Sequence, residues 1–280
     1  MKNRSDEPIF HTAACAGASQ AALMADKRIA EETSFFAISR RLVATLRKEE
    51  AMPLPLTQEK KEALKCRIFT LYARYGFNGI SMDEIAKSMH VGKPTLYKYF
   101  KSKEDIVRQI EETGIGHLES LQLTMDRGMD SVLDGMSQIY SRGIILASAS
   151  KKEYMSDLQS HYPDLYEKHM QAVGAVAHRF QEYYRTAVEA GYCRSLSIQL
   201  VGEQFRVMLP SVISAEYLEA NQFTLNHAIR EYYRMLLHQV VNDEYQPLVD
   251  REENFLFCDP LANRVKETFY YEDARVKIDV

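Results

Sequence analysis

The chain has 280 residues, 46% of them apolar and 26% charged, with a formal net charge of −4. That balance suits one large or two smaller globular domains, and it excludes the disordered, collagen-like and membrane classes. Its four cysteines, Cys15, Cys66, Cys193 and Cys258, follow no CxxC spacing, which reads as reduced thiols in a cytoplasmic protein and not as a disulfide or zinc framework.

Charge is unevenly spread. Residues 58–108 carry 11 basic and 6 acidic side chains, a net of +5, whereas residues 109–280 carry 16 and 26, a net of −10. A basic module on an acidic body is expected where only the module meets a polyanion.

Residues 1–57 form an N-terminal extension. The alanine-rich start lacks a sustained apolar run, and Asp6 and Glu7 stand where a signal peptide needs basic residues. Lys48-Glu49-Glu50, whose codons can spell a ribosome-binding sequence, lie just before Met52, so residues up to 51 read either as translated leader or as a true extension carrying Arg40 and Arg41. Pro53 and Pro55 stiffen the lead-in that follows.

Leu64, Ile68, Leu71, Tyr72 and Tyr75 then make a helical stripe, closed by Gly76 as a C-cap. Ser81 and Glu84 spell a capping box, after which Met82, Ile85, Ala86 and Met89 recur on one apolar face. His90-Val91-Gly92 breaks the pattern, with Gly92 expected to supply the backbone freedom, and Pro94 suits the first turn of a second short helix. In that helix only Leu96 and Phe100 share the buried face. Lys93, Thr95, Tyr97, Lys98 and Tyr99 therefore project outward, a set of ammonium groups, hydroxyls and rings suited to the major groove of B-DNA. Ser102 caps the next helix, with Lys103 in its first turn where an ammonium and free N–H groups can hold a phosphate.

The run 69–106 resembles the N-terminal DNA-binding domain of the TetR family of transcriptional regulators, over residues 58–117. Gly76, Ser81, Ile85, Ala86, Val91, Thr95, Leu96, Tyr97, Tyr99, Phe100, Lys103 and Glu104 fall where that pattern expects them, while His90 departs from its more usual glycine. The resemblance implies an all-α chain, with an N-terminal three-helix helix-turn-helix DNA-binding domain followed by a multihelical ligand-binding and dimerisation domain. It implies that Ser81 and Met82 touch the DNA backbone, that Lys93, Pro94, Thr95, Lys98 and Tyr99 face groove edges or adjacent phosphates, and that Tyr97 and Lys103 clamp phosphates.

Beyond the motif, a helix over 103–125 is expected to link the two domains, weakened midway by Gly114 and Gly116. Helices are predicted from Asp130 to a polar stop at Lys151-Lys152, over 163–191 between Pro163 and Gly191, over 197–213 with Pro210 near its end, and over 224–242 with Thr224 as cap. The stripe Leu225, Ile229, Tyr232, Tyr233, Leu236, Leu237 and Val240 is wider than one intramolecular contact needs. By resemblance, 197–213 and 224–242 pair two copies into a homodimer that reads a palindromic operator in double-stranded DNA. Within 118–243, Met136, Tyr140, Met155, Tyr166, Met170 and Phe180 are candidates to line a pocket for a small hydrophobic or aromatic effector. Residues 244–280 carry enough aromatic groups to pack on the body.

His161, His169 and His178 are spaced too widely for ligands on one helical face, so no metal is expected, and no cofactor. No phosphate loop, GxSxG elbow or HExxH is present. The function read from the sequence is a DNA-binding transcriptional regulator without enzyme activity, a repressor released by its effector. An activator of the same fold and, remotely, a multihelical enzyme using His161 or Asp157 are the alternatives.

Overall fold

The computed structural model describes residues 57–126 and 128–266. The expected leader or extension lies outside them, as do the last fourteen residues of the tail. Among the described residues there is no strand, only one antiparallel bridge between Cys193 and Val241. The helices are α1 Gln58–Tyr75, α2 Met82–Ser88, α3 Lys93–Tyr99, α4 Lys103–Glu119, α5 Met129–Ala149, α6 Lys152–His161, α7 Pro163–Glu189, α8 Ile198–Val212, α9 Ala215–Asn221, α10 Leu225–Val240, α11 Gln246–Val249 and α12 Cys258–Val265.

Two apolar cores organise them. The first joins Leu64, Ile68 and Tyr72 of α1 with Ile85, Leu96, Phe100 and Ile106. It is completed from outside the N-terminal segment, by Tyr154 and Leu158 of α6 and Leu165 of α7. Phe77 is its hub, with its ring 5.6 Å from those of Tyr72 and Tyr154. Tyr75, expected on the α1 stripe, instead stands 53% exposed.

The second core packs α5, α7, α8 and α10 with the C-terminal segment. Tyr140 and Tyr233 lie at its centre, ring centroids 4.8 Å apart. Phe255 and Phe257 close against Tyr233 at 5.8 and 5.0 Å. The apolar stripe of α10 is wide because this segment covers one side of it. Arg230 and Arg234 stack over the Phe255 ring, and Arg230 also pairs with Glu252.

Several helix ends follow their sequence signals. Thr224 Oγ1 accepts from His227 N–H, Pro163 opens α7, and Gly191 beyond its end adopts φ +81. The linking helix α4 stops at Glu119, short of 125. The cause is long-range: Arg179 of α7 donates to the carbonyls of Glu119 and Leu121 at 2.8 and 3.1 Å, caging the free end. A Cβ at Gly114 or Gly116 would meet open space, so tight packing does not account for either glycine. Pro210 sits inside the last turn of α8 and the helix ends two residues later. Cys66, Cys193 and Cys258 are buried and form no disulfide among the described residues, and burial pushes each thiol up to about 12. Such thiols are inert, the opposite of a redox sensor.

Candidate nucleic-acid interface

The interface is built by α2 holding α3. Ser81 N–H donates to Glu84 Oε2 at 2.7 Å, and Ser81 Oγ accepts from Glu84 N–H at 3.3 Å, a reciprocal cap. The Ser81 hydroxyl also donates to Glu84 Oε2 at 2.6 Å. The Ser81 side chain, then its backbone, holds the Glu84 carboxyl below its ordinary range. Ile85 and Ala86 anchor α2 in the first core, and Met82 is half-buried beside them.

The turn between the helices is a Schellman closure: Val91 N–H donates to Ala86 O at 3.0 Å and His90 N–H to Lys87 O at 3.1 Å. Its left-handed position is His90, at φ +56. Gly92, to which the sequence reading assigned that freedom, is extended at φ −66 and serves as the N-cap of α3. His90 thus occupies the place where a glycine costs least.

In α3 only Leu96 is buried, and Phe100 just beyond it has no exposed surface. Lys93, Pro94, Thr95, Tyr97 and Lys98 are exposed on the outer side. Tyr99 is not among them: half-buried, it packs on the core beside Phe100, ring centroids 6.5 Å apart. Lys93 is exposed but engaged, its ammonium 2.6 Å from Asp83 of α2. The hydrogen bond it donates to Asp83 raises its pKa, so the charge persists while a phosphate or base must compete with Asp83 for it.

Lys103, the expected phosphate clamp, also serves the turn after α1. Its Nζ donates to Asn78 O at 2.8 Å, and burial lowers its pKa despite the nearby carboxylates of Asp157 and Glu84. Asp157 of α6 accepts from Phe77 N–H at 2.7 Å and Asn78 N–H at 2.8 Å. Lys103 and Asp157 therefore grip the two sides of the turn after α1. Nothing in the local sequence marks Asp157, because its partners lie 79 and 80 residues away.

The six candidate pocket residues do not share one cavity. Met136 and Tyr140 are core, with the Tyr140 hydroxyl bound to Ile229 O at 2.7 Å; Phe180 packs at that core's edge. Met155 and Tyr166 flank the other core, and Met170 is 45% exposed. A cavity of about 70 Å³ does exist between α4, α5, α6 and α7. Ile110, Leu118, Ile145 and Leu146 supply apolar wall, and Glu111, His117, Arg142, Tyr154 and His169 supply polar groups. It differs from the expected pocket because the candidates are drawn from residue 118 onward, whereas α4 lends Ile110, Glu111, Thr113, Gly114 and His117 to its wall. No helix among the described residues is long and apolar enough to cross a membrane.

The family model described as bacterial regulatory proteins, tetR family, matches residues 68–110, which span α2, α3 and parts of α1 and α4. Over 116 residues the chain is 23% identical to the negative transcriptional regulator IcaR of the biofilm operon icaADBC in Staphylococcus aureus, strains Newman and COL among others. That match covers 38% of this chain, which spans 62% of the length of those curated relatives. Among solved structures, the ketosteroid transcriptional regulator KstR2 of Mycobacterium tuberculosis aligns with TM-score 0.48 and 14% identity, over 67% of this chain and 98% of that one. The fatty acid degradation regulator FadR from Bacillus halodurans aligns with TM-score 0.41 and 16% identity, over 68% and 97%.

Proposed function

We propose that this chain, which carries the DNA-binding helix pair of the tetR family of bacterial regulatory proteins, is a homodimeric transcriptional repressor that acts in the cytoplasm and leaves a palindromic operator when a small effector binds. The observation that carries the reading is α3 itself. One buried leucine fixes the helix, and five exposed residues, Lys93, Pro94, Thr95, Tyr97 and Lys98, face away from the protein. A rod of that size fits the major groove.

One such rod buries too little surface for tight specific binding, and two of them spaced by about 34–36 Å or a multiple read a palindrome. Apolar surface for pairing two copies is present on α8 and α10: Leu200 is 71% exposed, Val207 55% and Met235 58%. Exposed apolar side chains grouped on adjacent helices favour a protein partner. Residues 197–213 and 224–242 are therefore the proposed dimer contact. The cavity between α4 and α7 is the proposed effector site, in place of the six scattered candidates. Its α4 wall continues, one turn earlier, as Ile106 and Val107 of the first core, so a ligand that shifts α4 shifts the platform of α3.

Fluorescence anisotropy with duplex DNA from upstream of the chain's own gene tests the reading. Specific retention that survives competitor DNA is expected, with a mass by light scattering of two chains. Leu200→Asp with Val207→Asp gives a monomer that loses the specific complex. A monomeric wild-type protein, or equal affinity for unrelated duplexes, removes the repressor reading.

A further inference from the structure

The cavity between α4 and α7 has two polar ends in different states. At one, Glu111 has both carboxylate oxygens engaged: Oε1 accepts from the Tyr154 hydroxyl, and Oε2 lies 2.9 Å from His169 Nδ1. That end is closed on itself. Six residues on, about 9 Å along the helix axis, His117 lines the same cavity, and its buried Nε2 has no hydrogen-bond partner among the described residues. A buried polar atom left in that state calls for an explanation, and a missing ligand is one.

We infer, resting on the reading of this cavity as the effector site, that its ligand is a small molecule with an apolar body and a single carboxylate head, the head seated on His117. Size comes from the cavity: at about 15 Å³ for each water-sized group, 70 Å³ holds about five such groups. The body faces Ile110, Leu118, Ile145 and Leu146. Sign comes from the charges around the imidazole. Arg142 of α5 lines the cavity with it, and the guanidinium of Arg264 on α12 also bears on it. Glu111, the one carboxylate on the wall, lies at the far end and is held by Tyr154 and His169.

Burial first, then Arg142 and Arg264, push His117 down to about 4. In the ligand-free protein the imidazole is neutral at pH 7. A carboxylate placed against it opposes both guanidinium fields and favours imidazolium. Below neutral pH the anion therefore enters together with a proton, which comes from solvent and ends on the His117 ring. A cationic ligand meets the same two guanidinium groups as repulsion, and a neutral one gains a hydrogen bond without the charge.

Calorimetry on the full chain tests this, with butyrate and isovalerate as probes and butyramide and isovaleramide as their neutral counterparts. In two buffers of different ionisation enthalpy, the acids are expected to bind with proton uptake and more tightly at lower pH. Their lead over the amides is expected to be on the order of tenfold at pH 6, which linkage gives for an upward shift of about three units on His117. His117→Gln should erase that lead and the proton uptake while leaving amide affinity in place. A merely structural role for His117 predicts instead an equal loss for both series. Leu146→Trp, which fills the cavity, should abolish both.

Amides that bind as tightly as the acids overturn the carboxylate head and leave the cavity as effector site. Acids that bind equally to the Leu146→Trp protein overturn the cavity itself. Silence of both series overturns the carboxylate class.

Discussion

The carboxylate of Asp157 on α6 accepts two backbone hydrogen bonds, from Phe77 N–H at 2.7 Å and Asn78 N–H at 2.8 Å, at the turn that ends α1. Gly76 precedes that turn at φ +68, and a Cβ there would stand 2.5 Å from Asp157 Oδ2. The turn is thus shaped to receive a side chain from the helical body. Lys103 closes its other side by donating to Asn78 O. Hydrogen bonds to a charged acceptor contribute roughly 1.5–3 kcal/mol, so this contact holds the DNA-binding helices to α6 more firmly than a surface ion pair does.

Asp157→Asn keeps the shape and removes the charge. It is expected to lower stability by about 1–2 kcal/mol in urea unfolding and to weaken the effect of effector on operator affinity, because one of the links between α6 and the α1 turn is loosened. Unchanged urea midpoints would show that the two hydrogen bonds carry no net stability. Gly76→Ala should be at least as damaging, since it combines a left-handed backbone with a collision at Asp157.

Lys93 and Lys98 differ in what they must leave to meet DNA. Lys98 is exposed at the end of α3, whereas Lys93 is held by Asp83 at 2.6 Å. Lys98→Ala should reduce the salt slope of DNA binding by about 1 without changing base preference, and Lys93→Ala should relax base preference at a cost of roughly 1–3 kcal/mol. Asp83→Asn releases Lys93 and removes a negative charge from the DNA-facing side, so affinity for all duplexes should rise and the salt slope steepen. A salt titration by anisotropy on operator and scrambled DNA separates these outcomes. Lys103→Ala should both weaken binding to all duplexes and loosen the turn after α1, since its ammonium donates to Asn78 O and keeps two further N–H groups.

His90 carries a left-handed backbone inside the helix-turn-helix. A residue with a Cβ loses roughly 1–2 kcal/mol there, and glycine returns part of that gain through its larger unfolded-state entropy. His90→Gly is therefore expected to stabilise the protein by about 0.5–1 kcal/mol in thermal or urea unfolding, with operator affinity unchanged because the imidazole is exposed in the turn, outside α3. Destabilisation would mean that the His90 side chain contributes contacts worth more than the backbone strain.

Much of the interface was legible because its causes are local. Ser81 and Glu84 are three residues apart and cap each other; Leu96 and Phe100 are four apart and share a face. Likewise Pro163 and Gly191 bracket α7 by intrinsic backbone preference alone. What stayed hidden depends on distant partners. Helix α6 has only Tyr154 and Leu158 as buried residues, too short a stripe to distinguish from a polar loop. The stop of α4 is set by Arg179, 60 residues away. The same holds for the bond from Lys103 to Asn78 O, 25 residues away. The effector candidates failed for a related reason: Met and Tyr at helical spacing mark burial, and burial alone does not tell a core from a cavity wall.

The buried imidazole of His117 sets a pH dependence whose sign is fixed by its environment. Its pKa falls from 6.5 to about 4, through burial and then the charges of Arg142 and Arg264. Above 6.5 the ring is neutral in both folded and unfolded chains and contributes nothing to the difference. Between 6.5 and about 4 the unfolded chain binds a proton that the folded chain refuses, so stability falls as pH is lowered through that window and levels off below it. The full loss is on the order of 3 kcal/mol. His117→Gln, which keeps a neutral polar group and cannot protonate, should flatten this part of the stability profile. The measurement is a set of urea unfolding curves across the window on both proteins, and parallel profiles would show that the ring protonates as readily in the folded chain as in the unfolded one.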